Sequence, residues 1–324
     1  MPERIKRVGI ITSGGDCAGM NAAIRSVVRC ALYHKIEPIG FFHGYEGLIK
    51  DEAKRLDRRS VSNIIGRGGT ILKTARCPEF VKKEAQKKAV EVIKKNKIDG
   101  MIIIGGDGSL RGAHKLSKDW KIPTIGIPAT IDNDINGSDA SIGSFTAINV
   151  ALEAIDKIRD TATSLERIFV VEVMGRLRGY IAMLVGLAGG AEDVILPEIE
   201  FSIDKMCSDI KEGRRKGKIS WIIIVAEGAA KAHNIASLIT QKTGYETREV
   251  VLGHIQRGGT PTAYDRVLAS RFGAYAVDLI KDGQTDKSVV IKSGRLKAID
   301  LNQATKSIHK VDIGLYELMK VLAT

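Results

Sequence analysis

The chain has 324 residues, of which 44% are hydrophobic and 27% charged, with a formal net charge of +12. That apolar share supports one large or two ordinary globular domains and excludes an intrinsically disordered chain. Aromatic residues make up only 5% and no RNP-like aromatic strand occurs, so the positive charge suits small phosphorylated ligands better than a stacking platform for nucleic acid.

The opening "MPERIKRVGI" lacks the apolar stretch of a signal peptide, and "IAMLVGLAGGA" is far shorter than the ~20 residues of a membrane span. A cytoplasmic protein without membrane partners is expected. Cys17, Cys30, Cys77 and Cys207 show no CxxC spacing, which argues against a zinc site or disulfide framework and for free thiols.

The first strand, "RVGIIT", runs into the loop "TSGGDCAGMNAAIR" and a helix. Gly14 and Gly19 have P-loop spacing, but Met20 and Asn21 stand where the motif needs Lys and Ser/Thr. Nor is the loop GxGxxG, and the second strand, "IEPIGFFHG", ends without the acid that a nicotinamide ribose requires. What remains is a glycine turn whose free amides and helix dipole favour an anion, with a plain tight turn as the alternative. In "VKKEAQKKAVEVIKKNK", Ala85, Ala89 and Val92 keep helical spacing and predict a helix with its lysines in solvent.

"DGMIIIGGDGS" reads as a buried strand followed by a second glycine loop, in which Asp107 can hold a magnesium ion and Ser109 opens a helix. Similar loops occur in lipid and NAD kinases, and a capped turn is the bland alternative. The strand "IPTIGI" ends in "PATIDND". If that segment is extended, Asp132, Asp134 and Thr130 point the same way; otherwise an Asp simply caps the next helix, "GSFTAINVALEAIDKIRD".

A second series follows: "RIFVVEV", "VILPE", "SWIIIVAEG" and "TREVVLG". Strands alternating with helices imply parallel sheets covered on both faces, with ligands beyond the carboxyl ends of the strands. "IIIGGDGS" and "IIIVAEGA" share a plan, which suggests two similarly built domains. "LGHIQRGGTPTAYDR" sets His254 and Arg257 beside glycines, a structural histidine being the alternative. Arg76, Arg167, Arg176 and Arg248 lie outside these loops and carry the guanidinium fork that suits phosphate.

Taken together, "TSGGDCAGMNAAIR", "NIIGRGGT", "IGGDGS", "TIDND", "VVEVMGR" and the run from "TRE" to "AYDR" resemble the bacterial-type 6-phosphofructokinases, over about residues 5 to 282. The resemblance implies two Rossmann-like α/β/α domains with mostly parallel sheets. Residues 1–143 with 256–306 would bind ATP, and 144–255 with 307–324 would bind fructose 6-phosphate. The implied reaction is transfer of the ATP γ-phosphate to the sugar 1-hydroxyl, in glycolysis, with Mg2+ as cofactor. Gly108 stands where pyrophosphate-using members tend to carry Asp, and Ala129 where they carry Lys, so ATP is the implied donor and a pyrophosphate-dependent enzyme the alternative. A regulatory subunit that has lost catalysis is a more distant alternative, opposed by the presence of Asp107, Asp132 and Arg176.

Carried over residue by residue, the family pattern sets Gly15, Arg76, Cys77, Asp107, Gly108, Ser109 and Gly112 around ATP, with Asp107 at the metal. Thr130, Asp132, Asp134, Met174, Gly175 and Arg176 would meet the sugar phosphate, as would Glu227, His254 and Arg257. Arg167 and Arg248 would reach its 6-phosphate from a neighbouring subunit of a homotetramer. Asp132 is the implied base, helped by Thr130, Arg176, Arg76 and Gly15. An effector pocket for ADP or phosphoenolpyruvate would use Arg25, Arg29, Arg58, Arg159, Glu192, Lys216 and Lys218. Lys216 stands where relatives often have Arg, and Asn63 where an acid is common.

Overall fold

The structure is a computed structural model that describes residues 5–306 and 311–323. Residues 1–4, 307–310 and 324, which the expected domain ranges include, lie outside the described residues. The chain begins β1 (Arg7–Ser13), α1 (Met20–Tyr33), β2 (Glu37–Phe41), α2 (Gly44–Lys50), β3 (Ala53–Arg55), α3 (Lys83–Lys95), β4 (Gly100–Gly105), α4 (Asp107–Trp120) and β5 (Thr124–Pro128). It continues α5 (Ser144–Leu165), β6 (Ile168–Val173), α6 (Tyr180–Ala188), β7 (Asp193–Ile195), α7 (Ile203–Arg215), β8 (Trp221–Ala226), α8 (Ala232–Thr243) and β9 (Thr247–Val251). The last elements are α9 (Ala263–Lys281), β10 (Lys287–Lys292), β11 (Arg295–Asp300), α10 (Leu301–Ala304) and α11 (Ile313–Leu322). The expected α/β class with mostly parallel sheets is the one found.

The described residues fall into two compact units, 5–146 with 257–306, and 147–256 with 311–323. The first holds a seven-stranded sheet in the order β11-β10-β5-β4-β1-β2-β3, parallel except where β3 and β11 pair at its edges. Its central strands are buried along their length, and "GMIIIG" of β4 is buried at all six positions, as a strand covered on both faces requires. The chain leaves β1 and β4 in opposite directions across the sheet, so the switch point lies between them, where open α/β sheets bind ligands. Ser13, Gly105 and Pro128 are cross-strand partners. The loops after β1, β4 and β5 therefore leave the sheet side by side.

The second unit holds a four-stranded, all-parallel sheet, β7-β8-β6-β9. Val173 pairs with Ala226 and Glu172 with Val251, so the ends of β6, β8 and β9 are also level. Gln256, expected in the first domain, belongs to this unit, where its Oε1 accepts from the Met174 amide at 2.8 Å.

Two local readings need correction. The buried face of α3 is Gln86, Ala89, Val90 and Ile93, with Ala85 and Val92 at its margins. The pattern hid this because Gln86 is polar; in the core its Nε2 donates to Phe80 O at 2.9 Å and its Oε1 accepts from Trp120 Nε1 at 3.0 Å, which removes the cost of burying it. The β10–β11 hairpin was not expected at all. Ser293 and Gly294 form its two-residue turn with φ of 51° and 75°, the conformation that suits the twist of a tight hairpin.

Burial pushes the Asp193 carboxyl, beside the Trp221 indole at 3.4 Å, up to about 6. The folded state thus binds a proton that the unfolded chain has released near pH 4. Asp193 contributes most to stability below that pH, and its contribution is lost as pH rises toward 6. In denaturant titrations, Asp193→Asn should match the parent near pH 4, gain on it between pH 4 and 6, and hold a constant advantage above.

Candidate active site

In the first unit four segments meet at the sheet's carboxyl edge. Gly14, at φ +91°, turns the chain out of β1 in a conformation that glycine adopts without strain. Its amide donates to Ala75 O at 3.3 Å and its carbonyl accepts from Thr74 Oγ1 at 2.8 Å, which places the exposed Arg76 beside the loop. A Cβ on Gly15 would lie 2.6 Å from Arg257 Nη1, and that nitrogen donates to Asp16 O at 3.1 Å. The absence of a side chain at 15 lets a guanidinium rest on the backbone there.

The second loop is the start of α4. The helix opens at Asp107, two residues before Ser109, whose Oγ donates to Ser13 O at 2.9 Å and ties the two glycine loops together. The Asp107 carboxylate pairs with Arg111 at 2.8 Å one turn on. A Cβ on Gly108 would meet nothing within 4 Å. Gly112 differs: a Cβ there would run into the Tyr45 ring at 2.8 Å. Tyr45 is buried, stacks on Phe80 and donates to Ser109 O at 2.7 Å, so Gly112 makes room for a ring that braces the loop. Cys77 is half-buried and starts the short helix Pro78–Val81.

The "PATIDND" segment is a turn, which corrects the extended reading. Asn133 sits at φ +47° between the two carboxylates, so strand alternation does not set their directions. Nor does either Asp cap a helix, since α5 starts at Ser144. The Asp132 amide instead donates to Thr130 Oγ1 at 3.2 Å, and Ser141 Oγ donates to Thr130 O at 2.6 Å. Thr130 and Asp132 are buried, at 9% and 4% exposure, while Asp134 is partly exposed. A Cβ on Gly106 would touch Thr130 Cβ at 3.4 Å, so this turn and the α4 loop are in contact. The buried Cys17 thiol is pushed well up, chiefly by burial and further by the carboxylates of Asp265, Asp16 and Asp132. That array combines glycine turns, a helix N-terminus, guanidinium groups and a buried carboxylate, which are parts suited to holding polyphosphate and to taking up a proton.

In the second unit, Met174, Gly175 and Arg176 follow β6, and Glu227 follows β8. Glu227 Oε1 accepts from the amides of Gly175 at 3.1 Å and Arg176 at 2.8 Å, holding Arg176 at φ +54° with an exposed side chain. Its sequence reading as a ligand group missed this bracing of the arginine turn. His254 is exposed in the short helix Gly253–Arg257. Arg167 and Arg248 come together on one carboxylate, Glu246, at 2.9 Å from Arg167 and in direct ion-pair contact with Arg248. Glu246 was not singled out from the sequence; it stands two residues before Arg248, just ahead of the run "TREVVLG".

A phosphofructokinase family model matches residues 7–280. The chain belongs to the phosphofructokinase family. It is 50% identical over 319 residues to an ATP-dependent 6-phosphofructokinase of Halalkalibacterium halodurans, covering 98% of this chain and all of that one. A Saccharomyces cerevisiae phosphofructokinase structure superposes with a TM-score of 0.88 at 32% identity, over 93% of this chain and 45% of that longer chain. A pyrophosphate-dependent phosphofructokinase from Marinobacter aquaeolei gives 0.84 at 25% identity, over 96% and 86%.

Among the residues that the phosphofructokinase pattern sets in an effector pocket, the structure joins three. Glu192 faces Lys218 Nζ at 3.3 Å and Arg159 Nη1 at 3.8 Å. Arg159 Nη2 also donates to Gly189 O and Gly190 O, at 2.6 and 2.7 Å. Lys216 is not part of this cluster, since it pairs with Glu212 at 2.7 Å one helical turn back. Arg25 and Arg29 lie one turn apart on α1, and Arg58 is exposed in a turn; these three belong to the first unit. All four cysteines are free thiols. No helix among the described residues is long and apolar enough to cross a membrane.

Proposed function

We propose that this phosphofructokinase transfers the γ-phosphate of ATP to the 1-hydroxyl of fructose 6-phosphate, giving fructose 1,6-bisphosphate and ADP. The observation that carries the reading is the convergence of Gly14–Gly15, the α4 N-terminus and the buried Asp132 turn at one sheet edge. A curated relative at 50% identity and full coverage, named as an ATP-dependent 6-phosphofructokinase, supports it.

Asp132 accepts the proton of the sugar hydroxyl as the new oxygen–phosphorus bond forms; a positioned base of this kind contributes about 10² to 10⁴-fold. Thr130, hydrogen-bonded to the Asp132 amide, holds the carboxylate in place. Gly15, Gly108, Ser109 and the Arg76 guanidinium lie against the nucleotide's phosphates, with Cys77 and Gly112 behind them. Transfer then depends on alignment and charge neutralisation more than on covalent chemistry. Met174, Gly175, Arg176, Glu227, His254 and Arg257 hold the sugar phosphate, joined by Asp134. Arg167 and Arg248 exchange Glu246 for a sugar phosphate supplied by a neighbouring subunit, which requires the homotetramer.

Asp107 offers a hard carboxylate oxygen at a helix start with a glycine beside it. This fits magnesium, which takes one or two protein carboxylates and fills its other positions with water and phosphate oxygens. When bound, the ion neutralises charge on the phosphates. Arg159, Glu192 and Lys218, with Arg25, Arg29, Arg58 and Lys216, take ADP or phosphoenolpyruvate as effectors. The enzyme works in the cytoplasm.

Donor choice is where the pyrophosphate-dependent alternative separates. The space at Gly108 is open, and Ala129, 1% exposed, is bridged to Ile142 where a pyrophosphate user would carry lysine. In a coupled assay the enzyme should turn over Mg-ATP and show little or no activity with pyrophosphate; the reverse preference would overturn the reading.

A further inference from the structure

We propose that Asp265 is a positioning residue for phosphoryl transfer: it holds the 141–146 segment against which the Thr130–Asp132 turn is fastened, and so sets where the Asp132 carboxylate sits. The inference rests on the reading of Asp132 as base.

Asp265 is fully buried and lies in the first turn of α9. Its Oδ1 accepts from the Gly143 amide at 2.9 Å. Its Oδ2 accepts from the Thr146 amide at 2.7 Å and Thr146 Oγ1 at 2.5 Å, with Thr262 Oγ1 at 3.4 Å. One carboxylate thus binds the amides at the start of α5 from a helix more than a hundred residues away in sequence. Thr146 Oγ1 also accepts from the Thr262 amide at 3.1 Å, which closes the network.

The segment held in this way is the one that carries the catalytic turn. Ile142, next to Gly143, donates to Pro128 O at 3.1 Å and accepts from the Thr130 amide at 3.0 Å. The Cys17 thiol donates to the same Ile142 carbonyl at 3.2 Å. Ser141 Oγ reaches both Thr130 O and, at 3.1 Å, Asn133 Oδ1. Thr130 then binds the Asp132 amide. Every link from Asp265 to Asp132 is a hydrogen bond or a peptide bond within one unit. A carboxylate that only capped α5 would affect stability, whereas this one stands at the root of the chain of contacts that fixes the base. Misplacing a reacting group by about 1 Å costs up to about 10²-fold in rate.

Asp265→Asn keeps size but turns one acceptor into a donor that must face one of the two amides, Gly143 or Thr146. The test measures kcat and both KM values for the intact enzyme, Asp265→Asn, Asp132→Ser and the double variant, with Mg-ATP and fructose 6-phosphate. We expect Asp265→Asn to lose about 10- to 100-fold in kcat with both KM values within about threefold, and the double variant to be no slower than Asp132→Ser alone, because groups acting as a unit are non-additive. Thr146→Val, which removes one donor from the carboxylate, provides the same comparison if Asp265→Asn does not fold, with a smaller loss in the same direction. Turnover unchanged in the folded variant, or a double variant slowed by the full product of the two single effects, would overturn the proposal. Full turnover in Asp132→Ser would remove the base assignment and this inference with it, an outcome distinct from Asp265 failing alone.

Discussion

Asp132→Ser should lower kcat by about 10² to 10⁴-fold while KM for fructose 6-phosphate changes little. Asp132 is 4% exposed and its amide is held by Thr130 Oγ1, so a smaller polar side chain keeps that backbone bond and removes the proton acceptor. A sugar hydroxyl is a poor nucleophile, and the group that accepts its proton acts in the transition state rather than in the ground-state complex. The loss therefore belongs in kcat. Steady-state kinetics with a thermal melt as the folding control give the answer, and near-normal turnover in a folded variant would dismiss Asp132 as the base.

The second large effect is expected from Gly108→Asp. Nothing lies within 4 Å of a Cβ at 108, so the fold should tolerate the change and the melting temperature should hardly move. Gly105, three residues earlier, shows the contrast: there a Cβ would stand 2.5 Å from Ser13 O. The open space at 108 sits at the start of α4, next to a carboxylate already balanced by Arg111. A second negative charge beside ATP phosphates costs about 4 kcal/mol at ~4 Å and an effective dielectric of ~20, and less at longer range. We expect kcat/KM for ATP to fall by about 10²-fold or more, with KM for fructose 6-phosphate little altered. ATP kinetics indistinguishable from the parent would mean that Gly108 does not face the nucleotide.

Much of the site could be read from local pattern. Strand, glycine loop and helix follow one another within a few residues in "IIIGGDGS", and the physics of that arrangement is short-range: amides at a helix start, a glycine where the backbone must turn, an acid at the edge. The errors arose where that local logic was extended past its range. "PATIDND" was open to strand alternation or a helix cap, yet past the Ala129–Ile142 bridge Asn133 in the left-handed region breaks the alternation, and Thr130 Oγ1 and Ser141 Oγ bond the backbone of the turn. The apolar spacing of Ala85, Ala89 and Val92 passes over Gln86, whose burial depends on hydrogen bonds to Phe80 and Trp120 outside its helix. Asp265 stood inside a quoted motif without a role, since its partners at 143 and 146 are near it only after folding.

By itself the sequence determined the alternation of strands and helices, the glycine turns at strand ends and the family to which the chain belongs, because each depends on residues close together or on their order. Only the tertiary structure decided that Ser13, Gly105 and Pro128 lie level, that Glu246 gathers Arg167 and Arg248, and that Asp265 anchors the segment behind Asp132. Register and buried hydrogen bonds pair residues up to a hundred or more positions apart, and no local preference encodes which partner a buried carboxylate finds.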